Sequence, residues 1–167
     1  RPFELKYVLG QSDVKALFLV DRFKSSDYYE MLNEVCPGLA ASVPGELNSD
    51  DFPKLKWVVG LRGKMPSGGI SWDEMLDRGR EIDAADLQLA EESTKPSEPI
   101  NIQYTSGTTG FPKAAMLTHR NLLLNAFYVG GRQRMSEEDR ICIPVPFYHC
   151  FGCVMGTLCD SVYRAAM

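Results

Sequence analysis

Nine consecutive residues, Thr105–Lys113, read T-S-G-T-T-G-F-P-K and hold four hydroxyl side chains, two glycines and one lysine. A polyphosphate needs that mixture. Gly107 and Gly110 let the backbone turn with its N–H groups facing inward, because no Cβ stands in the way. Thr105, Ser106, Thr108 and Thr109 offer hydroxyl donors to phosphate oxygens. Lys113 adds a mobile positive charge. The spacing is not that of the G-x-x-x-x-G-K-[ST] loop: the glycines are three apart, the lysine follows Pro112, and Ala114 stands where a metal-holding hydroxyl would be. It is not G-x-G-x-x-G either, which argues against a dinucleotide site. A plain surface turn has a similar composition. The string is nevertheless entered from an apolar segment and left toward a helix cap, so a phosphate-binding loop between two strands is expected.

A second segment, Pro144–Gly152, reads P-V-P-F-Y-H-C-F-G. A proline-bearing strand end that presents Phe147, Tyr148 and His149 could wall a substrate site. The alternative is a packed histidine bonded to a backbone carbonyl. Cys150 and Cys153 form a C-x-x-C beside it, which could hold a metal or act in redox chemistry. Zinc normally needs four ligands and no second ligand pair with suitable spacing follows, so two buried helical cysteines and no metal site are expected.

The elements that must position these groups follow from periodicity. Pro2 suits the first turn of a helix through Leu9. Val14–Val20 is a nearly continuous apolar run of strand length, as for a strand buried on both faces. Asp27–Val35 places Tyr28, Met31, Leu32 and Val35 at helical spacing, and Pro37-Gly38 stops it. Leu55–Leu61 reads as a second buried strand. Ser71 and Glu74 have capping-box spacing for a helix to about Arg80. Glu81–Pro99, with six acidic residues and two prolines, reads as a solvated connector. Ile100–Tyr104 and Ala114–Leu117 flank the glycine-rich loop as strands. Thr118 caps a helix from His119 to about Val129, ended by Gly130-Gly131. Ile141–Val145 is a further strand, and Phe151–Leu158 begins another helix. Strand alternating with helix implies an α/β fold with a largely parallel sheet. Two portions are expected: residues 1–98, with the βα units and the acidic connector, and residues 99–167, with the phosphate loop and the start of a substrate-pocket segment.

The net charge of −4 argues against an obligate nucleic-acid partner, which would need a basic surface. No apolar run is long enough to span a bilayer. Five cysteines, four of them within Cys142–Cys159, make a poor disulfide framework and suit a reducing compartment. The chain opens at Arg1 with no signal-peptide pattern, and it reads as a piece of a longer protein.

The string Y-T-S-G-T-T-G-F-P-K at Tyr104–Lys113, followed by Leu117-Thr118-His119, resembles the signature of the adenylate-forming superfamily of acyl-CoA synthetases, aryl-CoA ligases and peptide-synthetase adenylation domains. Ala114-Ala115 replaces the usual Gly-Val. Glu4–Ser12, Pro99–Tyr104 and Pro146–Gly152 resemble the medium-chain and related fatty acyl-CoA synthetase branch. The resemblance runs to about Leu158 and does not extend into Cys159–Met167. It implies an interior piece of the large N-terminal domain of an AMP-forming acyl-CoA ligase. Such an enzyme uses ATP, Mg²⁺ and coenzyme A to activate a carboxylic acid, here a fatty acid, first to an acyl-adenylate and then to a thioester. By resemblance, Thr105–Gly110 and Lys113 bind the β- and γ-phosphates, Lys113 and His149 act in catalysis, and His149 lies near the substrate carboxylate in a pocket shaped by Phe147 and Tyr148. The resemblance further implies a cytoplasmic protein, or a mitochondrial-matrix protein in a eukaryote. The isolated chain is expected to be inactive, because the family's magnesium-binding acid, ribose-binding aspartate and second catalytic lysine are not found in it. The competing readings are a non-catalytic nucleotide-binding α/β piece, an aryl-CoA ligase and a fatty-acyl-AMP ligase.

Overall fold

A computed structural model describes residues 1–105 and 112–167. They form two compact units, Arg1–Leu87 and Gln88–Met167.

In the first unit, α1 (Pro2–Ser12) begins on Pro2 and ends where Asp13 turns left-handed at φ 54°. It is followed by β1 (Ala16–Leu19), the short antiparallel pair β2 (Arg22–Phe23) and β3 (Ser26–Asp27), and α2 (Tyr28–Val35). The Asp27 carboxylate caps α2 by accepting the Glu30 N–H at 2.9 Å. A 3₁₀ turn over Pro37–Ala41 leads toward β4 (Trp57–Gly60), β5 (Ile70–Ser71) and α3 (Trp72–Gly79). Strands β1, β4 and β5 form one parallel sheet in that order, with Ala16 opposite Trp57 and Val59 opposite Ile70. Burying Leu9, Leu32, Leu39, Leu47, Leu55 and Val58 in one cluster holds α1 and α2 against this sheet.

The run Val14–Val20 forms a strand, but not one buried on both faces. β1 is an edge strand, and Phe18 stays 45% exposed, with Trp72 edge-on at a centroid distance of 6.3 Å. β4 is the buried central strand. An apolar run alone does not separate the two positions. The capping box forms as its spacing predicts: the Glu74 N–H donates to Ser71 Oγ at 3.2 Å, and the Ser71 N–H donates to Glu74 Oε2 at 2.8 Å. Gly68 has φ +84°, and a Cβ there would strike the Leu39 carbonyl, so only glycine fits this turn.

The connector Glu81–Pro99 is exposed throughout, yet it is helical over α4 (Ala84–Ser93). Its composition of Ala, Leu, Gln and Glu favours helix without any amphipathic stripe, which is why periodicity does not reveal it.

In the second unit, β6 (Pro99–Thr105) and β7 (Lys113–Thr118) form an antiparallel hairpin. α5 (His119–Gln133) follows, capped by Thr118, whose Oγ1 accepts the Asn121 N–H at 3.1 Å. α5 does not stop at Gly130-Gly131. It runs on to Gln133 because Gly130 is a packing glycine: a Cβ there would run into the Tyr163 ring. Phe151–Leu158 is π-helical and continues into α6 (Cys159–Tyr163). Ala126, Met135, Val154 and Cys159 form the core.

The expected strand at Ile141–Val145 is not formed. Arg140 makes one parallel bridge to Ala166, and the Ile141 N–H donates to the Ala166 carbonyl at 2.9 Å. Beyond that bridge no described strand lies alongside, although burial alternates residue by residue from Ile141 to Pro146 as it does in a strand. Parallel pairing thus dominates the first unit and antiparallel pairing the second, within a mixed helix-and-sheet α/β fold.

Candidate functional site

The glycine-rich segment is anchored by the hairpin. Thr105, the last residue of β6, is the cross-strand partner of Lys113, the first of β7. The pairing brings a hydroxyl and an ammonium-bearing side chain to the same end of the ribbon, both exposed to solvent. The Thr105 hydroxyl donates to the Lys113 carbonyl at 3.5 Å, the outer limit for such a bond. Among the described residues Lys113 takes part in no ion pair, and its charge is available to an anion. Ser106, Gly107, Thr108, Thr109 and Gly110 lie outside the described residues.

The second segment follows Pro146 as a turn. The His149 N–H donates to the Pro146 carbonyl at 3.1 Å, and the His149 carbonyl accepts the Cys153 N–H at 2.9 Å. Among the described residues the imidazole makes no hydrogen bond to a backbone carbonyl. Its Nδ1 accepts the Phe151 N–H at 3.2 Å, so His149 caps the π-helical segment and a neutral ring carries its proton on Nε2. The Cys150 sulfur lies 3.7 Å from the same nitrogen. Phe147 and Tyr148 are exposed, Tyr148 at 84%.

Sequence reasoning passed over the residue that links the two segments. Gln103 Nε2 donates to the Tyr148 carbonyl at 3.4 Å. Two residues apart on β6, Gln103 and Thr105 project from the same face of the ribbon. The turn carrying His149 therefore lies along the face from which Thr105 projects. Gln103 is one of two amides in β6, with Asn101, and nothing in the sequence sets it apart from the other.

The cysteine reading is corrected in part. Cys159 is buried, with its thiol donating to the Ala126 carbonyl at 3.2 Å and burial pushing its pKa up. Cys150 is exposed and Cys153 half-buried, because the segment that bears them lies at the unit's surface. No group of three His, Cys, Asp or Glu side chains able to hold a metal is found among the described residues.

With this geometry in place, comparison with known families is decisive. The profile of the AMP-binding enzyme family matches residues 1–165. The chain belongs to the AMP-binding enzyme family. The match extends past Leu158, so the tail Cys159–Ala165 is family sequence, contrary to expectation.

The Bacillus subtilis (strain 168) protein YngI is 42% identical over 164 residues, covering 98% of this chain and 30% of that protein. The mouse mitochondrial medium-chain acyl-CoA ligase ACSF2 is 37% identical over 168 residues, covering 98% of this chain and 27% of its own length. The chain thus spans less than a third of these relatives. Among solved structures, the anthranilate CoA ligase AuaEII in complex with anthranoyl-AMP superposes with a TM-score of 0.72 at 20% identity, over 99% of this chain and 28% of that one. That likeness carries the fold. Within the family, the Thr105–Lys113 end of the hairpin and the Phe147–His149 turn are the candidate site. Among the described residues no helix is long and apolar enough to cross a membrane.

Proposed function

We propose that this chain is part of an ATP-dependent, AMP-forming acyl-CoA ligase for a fatty acid of medium chain length. The observation that carries the reading is the cross-strand pairing of Thr105 with Lys113, which sets an exposed hydroxyl and an ammonium without an ion-pair partner among the described residues at one end of the β6–β7 hairpin. The relatives' names support the acid–thiol ligase class and the medium-chain acid.

ATP supplies the adenylyl group that activates the carboxylate, and coenzyme A accepts the acyl group. The residues present suit the nucleotide. Lys113 neutralises charge on the departing pyrophosphate, and Thr105 offers a hydroxyl beside it. Ser106, Gly107, Thr108, Thr109 and Gly110 supply the remaining hydroxyl and N–H donors to the β- and γ-phosphates. That is positioning and electrostatic stabilisation rather than covalent catalysis. His149 stands at the carboxylate end of the acid, with Nδ1 occupied by the Phe151 N–H and Nε2 left as a donor; Phe147 and Tyr148 form the adjoining wall. The family's Mg²⁺ is part of the reading, but no residue of this chain is assigned to it. The isolated chain is read as unable to complete acyl-CoA synthesis. The compartment is read as cytoplasmic, or as the mitochondrial matrix in a eukaryote, where the mouse relative's name places it.

The test is ATP–pyrophosphate exchange with a panel of carboxylic acids, using a form of the enzyme that carries the remainder of the family's length. Replacing Lys113→Met, or Thr108 and Thr109 together by Val, should lower exchange at least about tenfold, since one donor to developing charge is commonly worth about 10²–10³ in rate. Exchange at the unaltered rate in both variants would refute the assignment.

A further inference from the structure

The bond from Gln103 to the Tyr148 carbonyl completes a geometry that the His149 turn does not complete by itself. The Tyr148 carbonyl and the His149 N–H belong to one planar peptide unit. Its N–H end donates to the Pro146 carbonyl at 3.1 Å, and its carbonyl end accepts Gln103 Nε2 at 3.4 Å. Bonds at both ends fix the orientation of that plane, and with it the direction in which the His149 side chain leaves the backbone. The ring is then set by the Phe151 N–H on Nδ1. The bonds involving Pro146 and Phe151 are local, so they hold the shape of the turn but not its place. The bond from Gln103 comes from β6, two residues before Thr105 and its cross-strand partner Lys113. It ties the imidazole to the hairpin end that carries the hydroxyl and the ammonium. Stability does not call for this amide. Tyr148 lies at the surface, where water can replace Gln103 as the carbonyl's partner at little net cost. The cross-strand neighbour of Gln103 is Ala115, which gives its stem little to pack against.

We propose that Gln103 is a positioning residue for the carboxylic acid. By holding the Tyr148–His149 peptide, it sets His149 at the place relative to the hairpin end where the acid and the α-phosphate meet. The proposal rests on the ligase reading above and adds to it a residue of β6 that acts through His149. Adenylation joins two bound groups, and misplacing one of them by about 1 Å can cost on the order of 10²-fold in rate. Loss of the Gln103 donor falls on the acid and spares the nucleotide, which is held by Thr105 and Lys113.

The experiment is ATP–pyrophosphate exchange with the form of the enzyme that carries the remainder of the family's length, varying the acid at saturating ATP and then ATP at saturating acid. Gln103→Met keeps the length of the side chain and removes the donor. It should raise the KM for the acid about three- to tenfold, the worth of one net hydrogen bond, and leave the KM for ATP in place. Gln103→Glu separates the bond from mere packing. Its carboxylate has no proton to give the Tyr148 carbonyl, but its protonated form does, so its acid KM should exceed that of Gln103→Met at pH 8 and fall below it as the pH is lowered to 5. Asn101 is the other amide on that face of β6 and makes no hydrogen bond to the turn among the described residues. Asn101→Leu should leave the acid KM in place. Should the full-length variants fold poorly, amide exchange in the 167-residue chain decides: Gln103→Met should speed exchange at the His149 N–H and spare the β6–β7 ladder. If the unaltered enzyme shows no exchange with any acid, the ligase reading fails and this role for Gln103 fails with it. If the unaltered enzyme is active, the role alone is overturned by a wild-type acid KM in Gln103→Met, by parallel pH profiles in the Met and Glu variants, or by an equal shift in Asn101→Leu.

Discussion

Asp160 in α6 is 1% exposed, and neither carboxylate oxygen has a hydrogen-bond partner among the described residues. Its backbone carbonyl is engaged, accepting the Ala165 N–H at 2.9 Å, but that does nothing for the side chain. Burial raises its pKa above the ordinary 3.8. A raised folded-state pKa fixes the sign of the pH dependence. The unfolded chain releases this proton near 3.8, whereas the folded chain holds it to higher pH. Stability from this group is therefore complete below 3.8 and is lost as pH rises through the folded value, by at most about 1.4 kcal/mol per pH unit in between. Asp160→Asn keeps the shape and removes the charge. It should stabilise the second unit at pH 7 by on the order of 1–3 kcal/mol, the range for an unpartnered buried group, and by little at pH 3. The assay is amide hydrogen exchange in α5, read from pH 4 to 7. Trp57 and Trp72 both lie in the first unit, so the tryptophan fluorescence transition in urea serves as an internal control and should not move. Identical α5 protection in wild type and Asp160→Asn at every pH would refute the argument.

Two further outcomes follow from local geometry. Ser71→Ala removes the hydroxyl half of the α3 capping box and should cost about 1 kcal/mol, seen as an earlier tryptophan transition in urea. Gly130→Ala should destabilise the second unit by about 1–2 kcal/mol in thermal unfolding followed by far-UV circular dichroism, even though alanine is the better helix former, because the new methyl meets the Tyr163 ring; adding Tyr163→Leu should return most of the loss.

Much of this fold is legible in the sequence where local chemistry decides. Asp27, Ser71 and Thr118 cap helices because their side chains satisfy N–H groups a few residues away. The two strands around the glycine-rich segment are legible from the extended pattern of Ile100–Tyr104 and from the short apolar run Ala114–Leu117. Legibility fails where a distant residue decides. Gly130 resembles a helix stop until Tyr163, far along the chain, is seen to occupy the space of its missing side chain. Ile141–Val145 has the composition of a strand, but pairing also needs a neighbour. The exposed helix α4 is capped by Asp83, whose carboxylate accepts the Ala85 N–H at 2.8 Å, but it has no buried face to reveal it. At the candidate site, the sequence names Lys113 and His149, while Gln103 emerges only from its contact with the Tyr148 carbonyl.

The Thr105–Lys113 pairing also sets which insertions this region can absorb. The two residues are cross-strand neighbours, so the intervening connection leaves and re-enters the ribbon at one place, about 5 Å apart. Doubling the length of such a connection costs only about 0.6 kcal/mol of closure entropy and leaves both anchors in place. One residue inserted within β6 between Gln103 and Thr105 is a different matter. It shifts the alternation by one and turns Thr105 and Gln103 to opposite faces of the ribbon, while the chain length changes by less than one part in a hundred. Chain closure alone would tolerate a longer connection after Thr105, so it is the spacing of the phosphate donors that would hold its length there, whereas the strand register holds it before Thr105.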